Sequence, residues 1–262
     1  MKILAIAKNA YKESVRQPIF YLLLIISVLL IYFSQFLVFF SFGQETKMIK
    51  DMGLATVTMC GLLLALFSSS TVIAREMEKQ TATTVLTKPL SRNQFILGKF
   101  LGIIGSIFIA MLVLTLVFIF TLYQPPSVYA WKIVAKNIDL SILPGIFLAY
   151  FQAVVITAIS VAISTRMGMV PNIILSSFIF VLGHLSNYLI GFFAGKDFWV
   201  RVGGKIFYLV IPNLENFNVS DAIAVGTPVP IGYLLSAAFY GAIYAAIALL
   251  AAMALFRDRE IR

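Results

Sequence analysis

The chain has 262 residues, of which 61% are hydrophobic and only 12% are charged. Soluble domains carry about 45–50% apolar and about 25% charged residues, so this composition excludes a soluble globular protein and a disordered chain, and it predicts an integral membrane protein. A single cysteine, Cys60, and a single histidine, His184, exclude a disulfide-built domain and any His/Cys metal site within one chain.

The first 16 residues predict an amphipathic helix. Its apolar side chains share one arc of a helical wheel: Ile3, Leu4, Ala7, Ala10, Tyr11, Ser14 and Val15. The charged side chains face the other way, and Pro18 breaks the helix before the first apolar stretch. We expect residues 1–17 to lie along the cytoplasmic headgroups of a membrane, with a solvated tail as the alternative.

Six apolar stretches are each long enough to cross a hydrocarbon core as a helix, which takes roughly 20 residues. They are Ile19–Phe40, Gly53–Ala74, Phe100–Tyr123, Ile142–Ser164, Asn172–Phe193 and Tyr233–Phe256. None of these stretches contains Asp, Glu, Lys or Arg, and no alternating pattern typical of a barrel competes with them. The predicted fold class is an all-α integral membrane protein with six transmembrane helices and an N-terminal amphipathic interfacial helix.

The distribution of charge predicts which side of the membrane each connection faces. The net charge is +9, and most of the 20 Lys and Arg residues lie in the two termini and in the second and fourth connections. By the positive-inside rule these parts are cytoplasmic, so both termini are predicted to be cytoplasmic. The excess of basic residues is then explained by the topology and by contact with membrane lipid. A nucleic-acid partner is not needed to explain it. We expect a multi-pass protein of the cell's cytoplasmic (inner) membrane.

The connections are too short to hold a second soluble domain. Residues 1–262 are therefore predicted to form one transmembrane domain, with a cytoplasmic loop over residues 75–99 and an extracellular segment over residues 194–232. The row Ala237/Gly241/Ala245 and the row Ala238/Ala242/Ala246 on the last span permit tight helix packing, within one chain or between chains.

The cytoplasmic loop is the most polar part of the chain. We expect the second span to continue as helix to about Glu78, and a short helix to follow over residues 81–87. Ser91 is a candidate N-cap for the helix that enters the third span. Gly98, Gly102 and Gly105 then allow close backbone approach, for which ordinary helix packing is a sufficient reason.

Motifs of catalysis and nucleotide binding are missing from the sequence. It holds no phosphate-binding loop, no His-Glu-x-x-His and no Gly-x-Ser-x-Gly, so the chain is predicted not to be an enzyme. The spans also lack carboxylates, which argues against proton- or sodium-coupled secondary transport. His184, near Asn187, is expected to make interhelical hydrogen bonds; a place on a translocation path and a serine protease site are the alternatives.

Three motifs follow one another from the end of the second span to the start of the third: Glu76-x-Glu78-x-x-Thr81, Val85-Leu86-x-Lys88-Pro89-Leu90-Ser91-Arg92 and Phe95-x-x-Gly98-Lys99. Two more lie later in the chain: Pro212-Asn213-Leu214-Glu215-Asn216-Phe217-Asn218 and Phe256-Arg257-Asp258-Arg259-Glu260. Together they resemble the type-2 ABC exporter permeases, most closely the NosY-like branch. The NosY-like branch is associated with copper handling. Nothing in this sequence suggests copper handling, so that function is not expected for this chain.

The resemblance implies the membrane subunit of an ABC transporter that acts as an exporter. Two permease chains, identical or closely similar, would pair with two separate ABC ATPase subunits, which would bind the ATP and Mg while the permease binds no cofactor directly. A coupling helix in the cytoplasmic loop would sit in a cleft of the ATPase. The residues expected at this contact are Glu76, Glu78, Thr81, Thr84, Val85, Leu86, Arg92 and Arg166.

The resemblance also places a translocation path between the two chains, lined by the first, second and fifth spans. The candidate residues on this path are Phe33, Gln35, Met59, Cys60, Ser68, Ser69, Ser70, Thr71 and His184. Apolar walls favour an amphipathic or lipid-like substrate over a small ion. A non-transporting membrane scaffold or assembly protein is the alternative function.

Overall fold

A computed structural model describes residues 2–37, 44–78, 91–123, 140–194 and 211–257, and the regular secondary structure of these residues is helical. The helices are α1 (Lys2–Val15), α2 (Pro18–Leu37), α3 (Glu45–Glu78), α4 (Arg92–Tyr123), α5 (Leu143–Ser164), α6 (Met169–Ala194), α7 (Ser220–Val225) and α8 (Ile231–Arg257). Two short 3₁₀ helices, Leu140–Ile142 and Leu214–Phe217, precede α5 and α7.

Six of these helices are long and apolar enough to cross a membrane: α2, α3, α4, α5, α6 and α8. Each of the six predicted spans falls in one of them, although the last residues of the first, 38–40, lie outside the described residues. The predicted all-α fold with six candidate transmembrane helices is therefore confirmed, and the cytoplasmic orientation of the termini stays a prediction.

The helices α3 and α5 form the centre of the bundle. The helix α3 packs against α2, α4, α5, α6 and α7, while α8 packs mainly along α5. Consequently α5 is buried on every side from Gln152 to Val161, which fits its apolar sequence without a polar face. The outer helices α2, α6 and α8 instead expose large apolar side chains such as Leu29, Ile174 and Leu235, as expected where lipid is the solvent.

The two rows of small residues on α8 have different surroundings. The first row, Ala237/Gly241/Ala245, is buried within the chain, and a Cβ on Gly241 would lie 3.0 Å from the Phe217 ring. In the second row Ala238 is buried but Ala242 and Ala246 are exposed. Only the first row is therefore fully used for packing inside the chain.

The N-terminal helix α1 packs along α4 over much of its length. Ala10 and Ser14 from its predicted apolar arc are fully buried, whereas Leu4 is 77% exposed. Two glycines make the contact possible: a Cβ on Gly98 would lie 2.7 Å from the Ile6 side chain, and one on Gly102 would lie 2.4 Å from the Ala7 carbonyl oxygen. The close approach expected at these glycines is thus made to α1, while Gly105 has only ordinary contact distances.

The orientation can be tested by cysteine labelling in intact cells with a membrane-impermeant maleimide. Because Lys47 and Lys196 lie in predicted external segments, cysteines at these positions should be labelled. Cysteines at Lys88 and Arg262 should react only after the cells are opened. The native Cys60 is buried and gives a low background. Labelling at Lys88 in intact cells would reverse the assigned topology.

Candidate functional site

A cavity of about 360 Å³ lies between α3, α5, α6 and the segment over residues 217–221. One face of α3 lines it, since these residues recur at helical spacing: Asp51, Leu54, Ala55, Thr58 and Leu62, with Met59 beside them. The remaining walls come from Gly145 and Gln152 on α5, Phe180 and His184 on α6, and Phe217, Asn218, Val219, Ser220 and Asp221. The volume is in the range of about 300–1,000 Å³ typical of small-molecule sites.

The segment that closes one side of the cavity is fixed by hydrogen bonds to α6 and α8. The Asn213 side chain accepts a bond from the Glu215 backbone N–H and so begins the 3₁₀ helix Leu214–Phe217. Its Nδ2 donates to Asn187 on α6 at 2.9 Å, and its backbone N–H donates to the Tyr240 hydroxyl on α8 at 2.9 Å. This segment is therefore an ordered part of the bundle.

Two glycines allow this segment to pack closely against the helices. A Cβ on Gly183 of α6 would lie 2.7 Å from Leu214 Cγ, and one on Gly145 of α5 would lie 2.7 Å from Ile223 of α7. Leu214, Phe217 and Ile223 are all buried as a result. Any larger residue at either glycine would push the wall of the cavity away from the helix.

The deep polar pair of the cavity is His184 with Gln152. The imidazole Nδ1 lies 3.1 Å from the Phe180 carbonyl oxygen, and Nε2 lies 3.1 Å from Gln152 Nε2. A carbonyl only accepts, so Nδ1 carries a proton and donates, and Nε2 then accepts from the Gln152 amide. With the amide in this orientation, both bonds are satisfied by the neutral imidazole. The interhelical hydrogen bond expected for His184 is present, and its partner helix is α5.

The predicted path residues do not lie in one place. Met59 and His184 line the cavity. Phe33 is exposed on α2, at an apolar groove of about 400 Å³ on the surface of the bundle. Gln35 is buried between helices, where its Nε2 donates to the Thr121 carbonyl at 2.8 Å, and the buried Cys60 thiol lies 3.9 Å from the Leu23 carbonyl oxygen.

The four successive hydroxyl residues of α3, Ser68, Ser69, Ser70 and Thr71, are buried against neighbouring helices. Ser68 accepts from Ser14 of α1 at 2.9 Å, and Ser69 hydrogen-bonds to Ser160 of α5. Thr71 accepts from Gln17 at 2.6 Å, while the Ser70 hydroxyl has no partner among the described residues. Within one chain these groups join α1, α3 and α5, and none of them lines the described cavity.

The coupling residues fall at one end of the bundle or outside the described residues. The helix α3 continues to Glu78, as predicted, and includes Glu76; Arg92 begins α4, and Arg166 is exposed between α5 and α6. The expected short helix over residues 81–87, with Thr81, Thr84, Val85 and Leu86, lies outside the described residues.

Ser91 caps α4, as the sequence predicts. The Gln94 N–H donates to the Ser91 hydroxyl at 3.3 Å, and the Ser91 N–H donates to the Gln94 side chain at 3.4 Å. This reciprocal pair is a capping box, which satisfies two donors at the start of a helix. It also fixes the residue at which α4 begins after the loop that follows α3.

The polar residues of the cavity that were not predicted as site residues include Asp51, Gln152 and Asp221. Gln152 is a polar side chain in an otherwise apolar span, and that signal could have drawn attention to it. The two aspartates are far apart in the sequence and gave no comparable signal, because only the folded segment after Asn213 brings Asp221 towards α3. Among the described residues, no group of three or more His, Cys, Asp or Glu side chains could hold a metal ion.

Comparison with known proteins gives the family of the chain. The model of a family described as ABC-2 family transporter protein matches residues 4–261, from α1 to the end of the chain. No curated protein sequence matches the chain. The match confirms the resemblance to the ABC permeases at the level of the family, while the NosY-like branch stays a prediction. The chain belongs to the ABC-2 family of transporter proteins, and it is a permease component of an ABC transporter.

Proposed function

We propose that this permease is the membrane subunit of an exporter in the cytoplasmic membrane and moves an amphipathic or lipid-like substrate. The observation that carries the proposal is the family match over residues 4–261. The family consists of transport components in the membrane that are not catalytic themselves. Because the sequence has no phosphate-binding loop, ATP would be hydrolysed on separate ABC ATPase subunits. A cavity lined by both apolar and polar side chains supports an amphipathic substrate.

The helix α3 offers a mechanical connection between ATPase and cavity. It is one continuous helix of 34 residues, which corresponds to a length of about 50 Å at 1.5 Å per residue. Asp51 and Leu54 near its start line the cavity, and Glu76 and Glu78 at its other end begin the coupling motif. A tilt imposed on the cytoplasmic end by the ATPase would therefore move the cavity wall, which is a rigid-body way to alternate access.

A second permease chain completes the proposed transporter. Two chains would present two docking surfaces to an ATPase pair and enclose a path between them, and closed two-fold assemblies are the commonest oligomers. The exposed aromatic groove of α2, which includes Tyr32, Phe33 and Phe36, offers apolar surface for such a contact. A mass measurement that found one permease bound to two ATPase subunits would contradict this stoichiometry.

The coupling assignment is tested by the double substitution Val85→Asp/Leu86→Asp. Both side chains are the proposed apolar anchor in the ATPase cleft, so two buried charges should abolish co-purification of the ATPase and transport by the complex. The change lies outside the spans and should leave membrane insertion intact. Co-purification and transport in reconstituted vesicles are the measurements.

The matched control is Lys196→Ala, in the predicted external segment, which should leave ATPase binding unchanged. Wild-type binding and transport by the double variant would show that the coupling helix lies elsewhere. A complex that binds ATPase but neither stimulates hydrolysis nor transports would instead favour the scaffold function.

A further inference from the structure

We propose that the cavity between α3, α5, α6 and residues 217–221 binds an amphipathic organic cation, that is, an ammonium group on a small apolar body. The inference rests on the proposed function, because it gives that function a substrate class. Its lining residues come from α3, α5, α6 and the segment over residues 217–221, whereas the predicted path lies between two chains.

The charge of the cavity is negative. Of the described residues that line it, the two charged ones are Asp51 from α3 and Asp221 from the start of α7. The nearby Lys47, one helical turn before Asp51, is exposed and is not part of the lining. The two ring nitrogens of His184 in the lining are each engaged by a hydrogen bond within the chain, to Gln152 and to the Phe180 carbonyl. Such a site favours a cation and disfavours an anion of the same shape.

The apolar surface of the cavity suits the body of an organic molecule better than a hydrated metal ion. Leu54 and Leu62 line it from α3, and Phe180 and Phe217 provide aromatic rings from two other elements. Aromatic faces attract ammonium groups through the ring quadrupole, so these rings also favour a cation. The carboxylates of the lining can meet a positively charged group, and the aromatic rings can contact an apolar body. Together they match a molecule that is charged at one end.

One wall of the cavity is fixed by hydrogen bonds to the neighbouring helices. Asn213 bonds to both α6 and α8, and Tyr233 of α8 donates to the Asn216 carbonyl at 2.8 Å, so the segment leading to Phe217 is held from two sides. Asn218 continues this order, because its side chain accepts bonds from the Ser220 N–H and hydroxyl. A preformed wall lowers the conformational entropy that binding must overcome.

The test uses three probes of nearly equal shape and different charge. They are benzyltrimethylammonium, which is positive, benzyl methyl sulfone, which is neutral, and benzylsulfonate, which is negative. Calorimetric titration of the full chain in lipid nanodiscs, with empty nanodiscs subtracted, gives each affinity. The ammonium probe should bind tightest and the sulfonate weakest. Equal affinity for all three, or no binding of the ammonium probe, would overturn the proposal.

Substitutions then locate the site. Asp51→Asn and Asp221→Asn should each weaken the ammonium probe by up to about fivefold, because Asp51 is only partly buried, Asp221 is exposed, and water screens such charge pairs. Both should leave the sulfone unchanged. Ala55→Phe, which adds a ring to the lining of α3, should weaken the ammonium probe and the sulfone alike. Asp221→Glu keeps the charge and should keep most of the affinity, so it serves if an asparagine variant fails to fold.

The matched control is Glu215→Gln. Glu215 lies in the same segment but does not line the cavity, so its loss removes an equal charge from the same end of the bundle. An unchanged ammonium affinity supports a local site, whereas a loss as large as that of Asp221→Asn would show only a long-range field.

The Val85→Asp/Leu86→Asp experiment is independent of probe binding. Normal coupling without the charge preference refutes this inference alone, and a charge preference without ATPase coupling refutes the proposed function alone.

Discussion

Replacing Gly102 by alanine should destabilise the permease by about 1–3 kcal/mol, the usual range for an extra methyl group in a well-packed contact. The new Cβ would lie 2.4 Å from the Ala7 carbonyl oxygen and 2.6 Å from Ala10 Cβ, and 2.8 Å from the Tyr11 nitrogen. Two of these three atoms belong to the backbone of α1, so no side-chain rotation can relieve the overlap. The whole helix α1 must move away from α4.

The same substitution one turn later provides the control. A Cβ on Gly105 would meet only Tyr11 Cδ2, at 3.9 Å, which is ordinary van der Waals contact. Gly105→Ala should therefore be neutral, or stabilising by up to about 1 kcal/mol, because glycine is the weaker helix former. Unfolding of both variants in detergent, followed by intrinsic fluorescence, measures the difference. Equal stability of the two variants would contradict the assigned packing of α1.

The pair of glycines shows what the sequence could and could not predict. The three glycines at positions 98, 102 and 105 predicted a close approach of helices, and the structure confirms it at the first two. Helical periodicity says which face of α1 is apolar, but it does not say what covers that face. The partner, α4, is separated from α1 by two transmembrane helices, and only the folded chain brings the two together.

The spans were predictable because a membrane demands long, uninterrupted apolar helices. Each predicted stretch therefore corresponds to one helix of the structure. The roles of the polar residues inside those helices were less predictable. A buried serine that joins two helices, such as Ser69 with Ser160, is indistinguishable in sequence from a serine that faces a path. Hydroxyl groups in spans commonly bond within or between helices, and Ser68, Ser69 and Thr71 of α3 do so here.

The charged cavity residues illustrate the opposite difficulty. Asp51 lies just before the second predicted span and Asp221 in an extracellular segment, so both looked like ordinary surface charges. Their common cavity depends on the contact of α3 with α7 and on the turn that begins at Asn213. Such a contact between distant parts of the chain leaves no periodic signal in the sequence. Of the predicted path residues, Met59 and His184 share the cavity with these aspartates.

The second large effect is expected at the ion pair between α1 and α4. Lys99 Nζ lies 2.9 Å from Glu13 Oε2, and the lysine side chain is 1% exposed while that of the glutamate is 33% exposed. The ammonium also lies 5.8 Å from the centre of the Phe95 ring, which stacks on Phe256 of α8. Lys99 thus lies where α1, α4 and α8 meet, and its charge is far less solvated than that of its partner.

This asymmetry predicts that the two single substitutions will differ. Glu13→Gln leaves the buried ammonium without the carboxylate charge and should destabilise the permease by about 1–3 kcal/mol, less than the ~3–5 kcal/mol of a fully buried pair because water screens Glu13. Lys99→Met removes the buried charge, keeps an unbranched apolar side chain, and leaves Glu13 in contact with water. It should change stability by less than about 1 kcal/mol.

The double variant Glu13→Gln/Lys99→Met closes a thermodynamic cycle on the pair. Once the ammonium is gone, the glutamine substitution no longer takes a carboxylate away from a buried charge, so the double variant should be about as stable as Lys99→Met alone. Unfolding midpoints in detergent, compared with those of the wild type, give all three values. Arg16→Gln serves as the control, because Arg16 is an exposed charge just after α1 and should have little effect. If Lys99→Met were as damaging as Glu13→Gln, packing of the lysine stem rather than compensation of its charge would hold α1 on α4.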